Sequence, residues 1–209
     1  MSRNIDYSLY LVTDRGLMST HTVEHSVELA IQGGCTLVQL REKTLSSLDF
    51  YRTAVRVKAV CDRYKVPLLI NDRVDIALAV DAAGVHVGQT DLPAGIVRGM
   101  IGEGKLLGVS ASDLAEALQA ERDGADYIGV GAMFATGTKA DAKSVSMNEL
   151  KEIRTAIRLP IVAIGGINPD TIPLFQGMGI DGIAVVSAIV SEDDIALAAK
   201  KIKDLFLSI

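Results

Sequence analysis

Eight short apolar runs, evenly spaced and separated by amphipathic segments, are the feature that most constrains the fold of this chain. Runs of this length predict buried strands, and the segments between them have the periodicity of helices. Strands that alternate with helices predict parallel pairing through crossover helices. The predicted strands are 9–12, 36–40, 67–70, 84–87, 106–109, 127–130, 160–164 and 182–186.

The segments between these strands complete a repeating unit. The predicted helices are 23–31, 48–61, 74–80, 114–122, 147–157 and 195–206. Glycines such as Gly34 and Gly124 follow several of them, where a left-handed C-cap turns the chain into the next strand. Eight strand–helix units in 209 residues predict a single-domain α/β fold over 1–209, a (β/α)8 TIM barrel at its compact limit. A doubly wound open sheet is the alternative, but it does not require eight similar strands.

Composition and net charge limit the classes of protein to which this chain can belong. Hydrophobic residues make up 49% and aromatic residues 4%, which indicates the aliphatic core of a parallel α/β protein. The formal net charge of -5 argues against a nucleic-acid binder, which usually has a basic face. With neither a signal pattern nor an apolar stretch of membrane-spanning length, we expect a cytoplasmic protein without a membrane partner. We expect Cys35 and Cys61 to be buried and reduced. The oligomeric state stays open, a homo-oligomer included.

In a barrel of this kind the functional residues should follow the carboxyl ends of the strands. Gln39, Arg41 and Lys43 end the second strand, and alternation would turn them inward while Leu40 and Glu42 face the other way. Cationic groups on the inner face of an otherwise buried strand favour an anion site. The alternative is that Arg41 and Lys43 extend into solvent or pair with nearby carboxylates.

Carboxylates follow the next two strands. Asn71 and Asp72 end the third strand, and Asp91 follows the fourth. Each aspartate could simply cap the helix that comes after it. Two carboxylates on adjacent strand ends, opposite Arg41 and Lys43, also suit a Mg²⁺ ion that carries a polyphosphate.

Two further polar residues belong to the central strands. Ser110 ends the fifth strand, and we expect its side chain to face the pocket. His86 lies between two valines of the fourth strand, a position typical of a core histidine with a satisfied hydrogen bond rather than of a catalyst.

Small and hydroxyl-bearing residues follow the last three strands. Residues 136–139 form a loop with one cation, which is either a phosphate clasp or a solvated turn. Gly165 and Gly166 after the seventh strand, and Ser187 after the eighth, occupy the usual phosphate position of such barrels. Glycine lets a backbone approach an anion closely, and a helix starting near Thr171 would offer it free amides.

Taken in order, these motifs resemble the thiamine-phosphate synthase family over nearly the whole chain. No single motif decides the resemblance, but the ordered set is specific. The stretches that carry it are 9–14, 39–43, 70–72, 84–91, 108–110, 124–127, 136–139, 164–167 and 186–187.

The resemblance implies a role for each site residue. An aminopyrimidine diphosphate would be held by Gln39, Leu40, Arg41, Glu42, Lys43 and Asn71, with Ser110 on the pyrimidine side. The leaving pyrophosphate would be met by Arg41, Lys43 and Lys139, and Mg²⁺ would be held by Asp72 and Asp91. A thiazole phosphate would be held by Thr136, Gly137, Thr138, Gly166, Val186 and Ser187.

The implied reaction is the loss of pyrophosphate from the pyrimidine, followed by attack of the thiazole nitrogen on the resulting cation. The thiazole could be plain or carboxylated. One alternative is the related thiazole tautomerase, which typically has a histidine at the position of Ser112 and a cysteine at that of Thr138. Another is a non-catalytic phosphate-ligand binder, which would not need the pair Asp72 and Asp91.

Overall fold

Eight parallel strands close into a barrel in the computed structural model, which describes residues 5–135 and 144–209. Each strand pairs with its neighbours in sequence, and the first pairs with the last. The predicted (β/α)8 barrel is confirmed. The strands are β1 (Leu9–Val12), β2 (Leu37–Leu40), β3 (Leu68–Asn71), β4 (Gly84–Val87), β5 (Leu106–Ala111), β6 (Tyr127–Val130), β7 (Ile161–Ile164) and β8 (Gly182–Val185).

The helices lie outside this barrel, and side chains that accept from the first free amides start several of them. Thr22, Ser46 and Ser146 cap three helices in this way. Within the described residues no helix is long and apolar enough to cross a membrane. The helices are α1 (Val23–Gln32), α2 (Ser47–Tyr64), α3 (Val74–Ala79), α4 (Ala94–Ile101), α5 (Leu114–Arg122), α6 (Met147–Ala156), α7 (Ser187–Val190) and α8 (Ile195–Phe206).

Some segments differ from the sequence-based expectation. The helix α4 was not predicted, because Gly95 and Gly99 lower the helical propensity of that stretch. The segment after β7 forms a single 3-10 turn over Ile172–Phe175, rather than an α-helix. Its hydrogen bonds close after three residues, so it presents a shorter row of free amides than the expected helix.

Alternation along the strands creates two cores. Outward side chains such as Leu11 and Val85 pack beneath the helices in a large aliphatic layer. Inward side chains fill the barrel with a smaller group that includes Tyr10 and Tyr127. Cys35 and Cys61 are buried and free, and burial raises the pKa of the Cys61 thiol to about 12. The inner core is where polar side chains enter the barrel.

Candidate active site

The cations after β2 are held by carboxylates of neighbouring strand ends. Because β2 ends at Leu40, strand alternation does not extend to Arg41 or Lys43. Arg41 Nη1 donates to Asp14 Oδ2 at 3.0 Å, next to β1, and Lys43 Nζ donates to Asp72 Oδ2 at 2.6 Å, next to β3. Both cations therefore stay at the rim, with their directions set by ion pairs rather than by strand geometry.

The other two residues of this stretch point elsewhere. The Glu42 side chain is only 3% exposed and accepts from Arg15 at 2.7 and 3.2 Å. The Leu40 side chain is fully buried in the layer beneath the helices. At the rim, Leu40 therefore has only its backbone to offer, and the Glu42 side chain is engaged by Arg15.

Neither aspartate caps a helix. The N-cap positions of α3 and α4 are Arg73 and Pro93, and neither helix has a side-chain cap. Asp72 instead adopts a left-handed backbone, with φ of 63°, and its side chain meets Lys43. Asp91 Oδ2 accepts from the Gly88 amide at 2.7 Å. Both carboxylates are thus directed by contacts at the rim, which leaves the capping interpretation without support.

These two carboxylates lie side by side. Burial raises the pKa of Asp91, the Gly88 amide opposes this shift, and the neighbouring Asp72 carboxylate raises the pKa further. Like charges this close disfavour joint ionisation, which a divalent cation between them would relieve. Among the described residues, 5–135 and 144–209, no three or more His, Cys, Asp or Glu side chains form a group that could hold a metal ion. A bound Mg²⁺ would therefore take two carboxylates and complete its shell with water and phosphate oxygens.

A buried chain of hydrogen bonds crosses the barrel from β2 to β5. Gln39 Nε2 lies 2.7 Å from the Tyr10 hydroxyl, which lies 2.9 Å from the Tyr127 hydroxyl. That hydroxyl lies 2.8 Å from His86 Nδ1, and His86 Nε2 lies 2.9 Å from Ser110 Oγ. His86 is indeed a hydrogen-bonded core histidine. Its partner Ser110 is half-buried and faces the barrel interior, so the chain reaches the pocket.

Two glycines make room for this chain. A Cβ atom on Gly108 would lie 2.2 Å from the Tyr127 hydroxyl and 2.5 Å from His86 Nδ1. A Cβ atom on Gly129 would lie 3.2 Å from His86 Cε1. Gly108 therefore has no room for a side chain beside the Tyr127 and His86 rings, and a Cβ atom at Gly129 would crowd His86.

The glycines after β7 are also required by their surroundings. Gly165 and Gly166 have φ values of 96° and 67°, and a Cβ atom on Gly166 would lie 2.7 Å from Phe134 Cβ. Close packing against the loop after β6 thus explains them without a ligand. Val186 is half-buried, and the exposed Ser187 is the first residue of α7.

Four predicted site residues, Thr136, Gly137, Thr138 and Lys139, lie outside the described residues. Their roles stay predictions. Of the others, Asn71 is half-buried at the last position of β3, where it pairs in register with His86.

Two shallow cavities, of about 290 and 460 Å³, lie at the opposite end of the barrel. Residues at the starts of strands line them, among them Thr36, Pro67 and Lys105. That end of a (β/α)8 barrel contributes to stability, and catalytic groups gather at the other. The polar cluster at the carboxyl ends of β1 to β5 is therefore the candidate active site.

The sequence of this chain matches a family of known proteins. The model of the family described as "Thiamine monophosphate synthase" matches residues 9–189. The chain belongs to this family. It is 65% identical over 209 residues to "Thiamine-phosphate synthase" of Clostridium beijerinckii, covering 100% of both chains. It is 60% identical to the protein of that name from Clostridium botulinum, over 99% of this chain and 97% of the relative. The resemblance inferred from the motifs is confirmed.

Solved structures agree with the family. The chain matches "Thiamine phosphate pyrophosphorylase from Pyrococcus furiosus" with a TM-score of 0.90 and 35% identity, over 98% of this chain and 97% of that one. It also matches 3-hexulose-6-phosphate synthase with a TM-score of 0.69 and 20% identity, over 95% and 99% of the two chains. The second likeness shows the fold alone.

Sequence reasoning missed four residues of this cluster. Asp14, Tyr10, Tyr127 and Gln89 all contact a predicted site residue or extend the chain of hydrogen bonds; Gln89 Nε2 donates to the Ser110 carbonyl at 2.7 Å. Tyrosines at inward positions of two apolar runs were the available signal, because a buried tyrosine hydroxyl needs a partner.

Proposed function

We propose that this chain is a thiamine-phosphate synthase, a Mg²⁺-dependent transferase that joins an aminopyrimidine diphosphate to a thiazole phosphate and releases pyrophosphate. One observation supports this most: Arg41, Lys43, Asp72 and Asp91 follow three neighbouring strands at the same end of the barrel, in a chain that is 65% identical to a relative of that name. A cytoplasmic location stays a prediction.

Mg²⁺ fits the residues present. Asp72 and Asp91 supply hard oxygen ligands. Burial and the neighbouring Asp72 raise the pKa of Asp91, and a divalent cation held by both carboxylates would favour their ionised forms. When bound, the ion supplies positive charge to the diphosphate oxygens. The two carboxylates would hold it at the rim, beside the cations that follow β2.

The protein's own contribution to bond breaking is electrostatic. The bond between the pyrimidine methylene and the diphosphate oxygen breaks, and its electron pair leaves with the diphosphate. Arg41 and Lys43 can turn from Asp14 and Asp72 to receive the charge that develops on this leaving group. Lys139, which lies outside the described residues, would add a third cation on the strength of the resemblance.

The second half of the reaction needs positioning. The thiazole nitrogen donates its lone pair to the methylene carbon, and with the plain thiazole the new C–N bond completes thiamine phosphate. A carboxylated thiazole must also lose its carboxyl group as carbon dioxide, with a proton from solvent taking its place. Gly166, Val186 and Ser187, together with residues 136–138, would hold the thiazole phosphate on the side of β7 and β8. No protein nucleophile takes part, and catalysis rests on alignment of the two partners beside a neutralised leaving group.

A direct assay tests the proposal. Purified protein is mixed with the aminopyrimidine diphosphate, the thiazole phosphate and Mg²⁺, and thiamine phosphate and pyrophosphate are measured together. We expect both products in equal amounts, and neither when a chelator removes the metal. Parallel reactions with plain and carboxylated thiazole phosphate identify the preferred form. Absence of product with both thiazoles and metal present would rule out the proposed reaction.

The assay also separates the alternatives. A tautomerase would change the carboxylated thiazole without consuming the pyrimidine. A non-catalytic binder would change neither compound.

A further inference from the structure

The chain of hydrogen bonds through the barrel interior has a fixed direction, because its first member is an amide nitrogen. Gln39 Nε2 carries only protons, so the Tyr10 oxygen must accept from it at 2.7 Å. Among the described residues, Gln39 and Tyr127 are the two hydrogen-bond partners of the Tyr10 hydroxyl. The proton of Tyr10 therefore points to Tyr127.

The same reasoning continues to the pocket. Tyr127 accepts from Tyr10 and must give its own proton to His86 Nδ1 at 2.8 Å. A ring nitrogen that accepts has no proton, so His86 is neutral with its proton on Nε2. That proton is donated to Ser110 Oγ at 2.9 Å. The Ser110 hydroxyl proton is then left over for an acceptor outside the chain.

Burial makes this order obligatory. Tyr10 and Tyr127 are at most 1% exposed, so water cannot substitute for a missing partner. Burial also raises the pKa of both tyrosine hydroxyls, which keeps these two phenols uncharged near neutral pH. Reversing one bond would leave two protons facing each other, so all four bonds must share one direction.

We propose that Gln39, Tyr10, Tyr127 and His86 are positioning residues that dedicate the Ser110 hydroxyl proton to an acceptor atom on the bound pyrimidine. The inference that a pyrimidine is the ligand rests on the proposed function, but the direction of the chain does not. The arrangement selects an unprotonated ring nitrogen, and it disfavours a pyrimidine analogue that carries a proton at the contacted position, because two donors would then meet.

The tautomer of His86 tests the direction without any substrate. Long-range ¹H–¹⁵N correlation spectra of the full labelled chain distinguish protonated from unprotonated ring nitrogens. His21 and His25 are exposed, and their signals are identified by their loss in His21→Asn and His25→Asn. We expect the remaining ring to carry its proton on Nε2. A proton on Nδ1, or an equal mixture, would overturn the proposal.

Reversal of the chain from its far end gives a second test. In Gln39→Glu an ionised carboxylate can only accept, so every bond should invert and the His86 proton should move to Nδ1. Ionisation of Glu is followed in the same sample through its carboxyl ¹³C shift. An ionised carboxylate with an unchanged His86 tautomer would contradict a connected chain. If the carboxyl stays protonated, the tautomer of the unaltered protein alone decides.

Kinetic measurements test whether the hydrogen-bond chain acts on the bound pyrimidine. Tyr127→Phe removes the hydroxyl that links Tyr10 to His86, and we expect kcat/KM for the pyrimidine diphosphate to fall about tenfold, the effect of roughly one hydrogen bond. The KM for the thiazole phosphate should not change. Tyr64→Phe is the control, since it removes a hydroxyl that bonds to Glu28 and Gln32 on the helical surface. Equal losses in both variants would show a structural effect and overturn the positioning role.

The two proposals fail in different ways. An inactive wild-type protein with the Nε2–H tautomer would refute the synthase reaction and leave the direction of the chain standing. An active protein with the Nδ1–H tautomer would refute the direction and leave the reaction standing.

Discussion

The inner and outer cores of this barrel are built from the same strands but do different work. Leu107 and Gly108 are neighbours on β5, yet Leu107 packs beneath the helices and Gly108 faces the polar chain inside the barrel. The outer core is a continuous aliphatic layer. The inner core is smaller and contains Gln39 and His86 among its buried polar side chains.

The contrast between the two cores shows where this fold can accept polar groups. The outer layer holds strands and helices together by burial of apolar surface, so a polar group there would lose its water without a partner. The inner core opens at one end to the pocket, and its polar groups partner one another in sequence from Gln39 to Ser110. Outer residues should therefore set stability, and inner and rim residues should set activity.

Asp91→Asn, at the rim, should have the largest effect on activity without lowering stability. Loss of one metal-binding charge should lower kcat about a thousandfold, or about 4 kcal/mol of transition-state stabilisation. Burial and Asp72 raise the pKa of Asp91 above its unfolded value, so its ionised form weakens the metal-free fold at neutral pH. The urea midpoint without metal should therefore not fall. Asp75→Asn, at an exposed ion pair with Arg73, should keep full activity. An Asp91→Asn enzyme as active as wild type would remove Asp91 from the site.

Leu107→Ala should break the outer core alone. This side chain is fully buried beneath the helices, and truncation should lower the free energy of unfolding by about 3 kcal/mol. Urea denaturation monitored by circular dichroism gives this value. At a temperature where the variant is folded, kcat and both KM values should match wild type. Altered kinetics in the folded variant would contradict the division between the two cores.

Gly108→Ala should disturb the inner core at the adjacent position. The new methyl group would lie 2.2 Å from the Tyr127 hydroxyl, and the overpacking should cost about 2 kcal/mol of unfolding free energy. It should also displace His86, so the KM for the pyrimidine diphosphate should rise. Gly99→Ala is the matched control, because nothing lies within 4 Å of a Cβ atom at that exposed helical position. That control should gain about 0.5 kcal/mol. The same sign in both variants would contradict this explanation of Gly108.

Much of the fold was predictable because periodicity is local. The predicted bounds of the first, fourth and sixth strands and of the helices 114–122 and 195–206 agree with β1, β4, β6, α5 and α8. The helix α4 escaped because its two glycines weaken the pattern, and the four residues of α7 are too few to show one.

The sequence predicted which residues belong to the site better than it predicted which of them contact one another. Asp72 and Asp91 could be proposed as a pair because parallel strand ends meet at one rim. The ion pair between Arg41 and Asp14 depends on loop conformation beyond β2, where strand alternation has ended. The role of Tyr10 depends on Tyr127, which is 117 residues away in sequence, so no local pattern could reveal their contact.

Arg41 and Lys43 are each paired with a carboxylate, so each must leave that ion pair before it can bind a phosphate oxygen of the substrate. Among the described residues of this part of the rim, Asp14, Asp72 and Asp91 accompany only the two cations, so these side chains alone would repel a bare diphosphate. A divalent cation that occupies Asp72 and Asp91 would free the Lys43 ammonium for phosphate oxygens. A free anion would have to break the ion pairs of these two cations without such help. The site would therefore prefer a diphosphate that arrives with a bound metal.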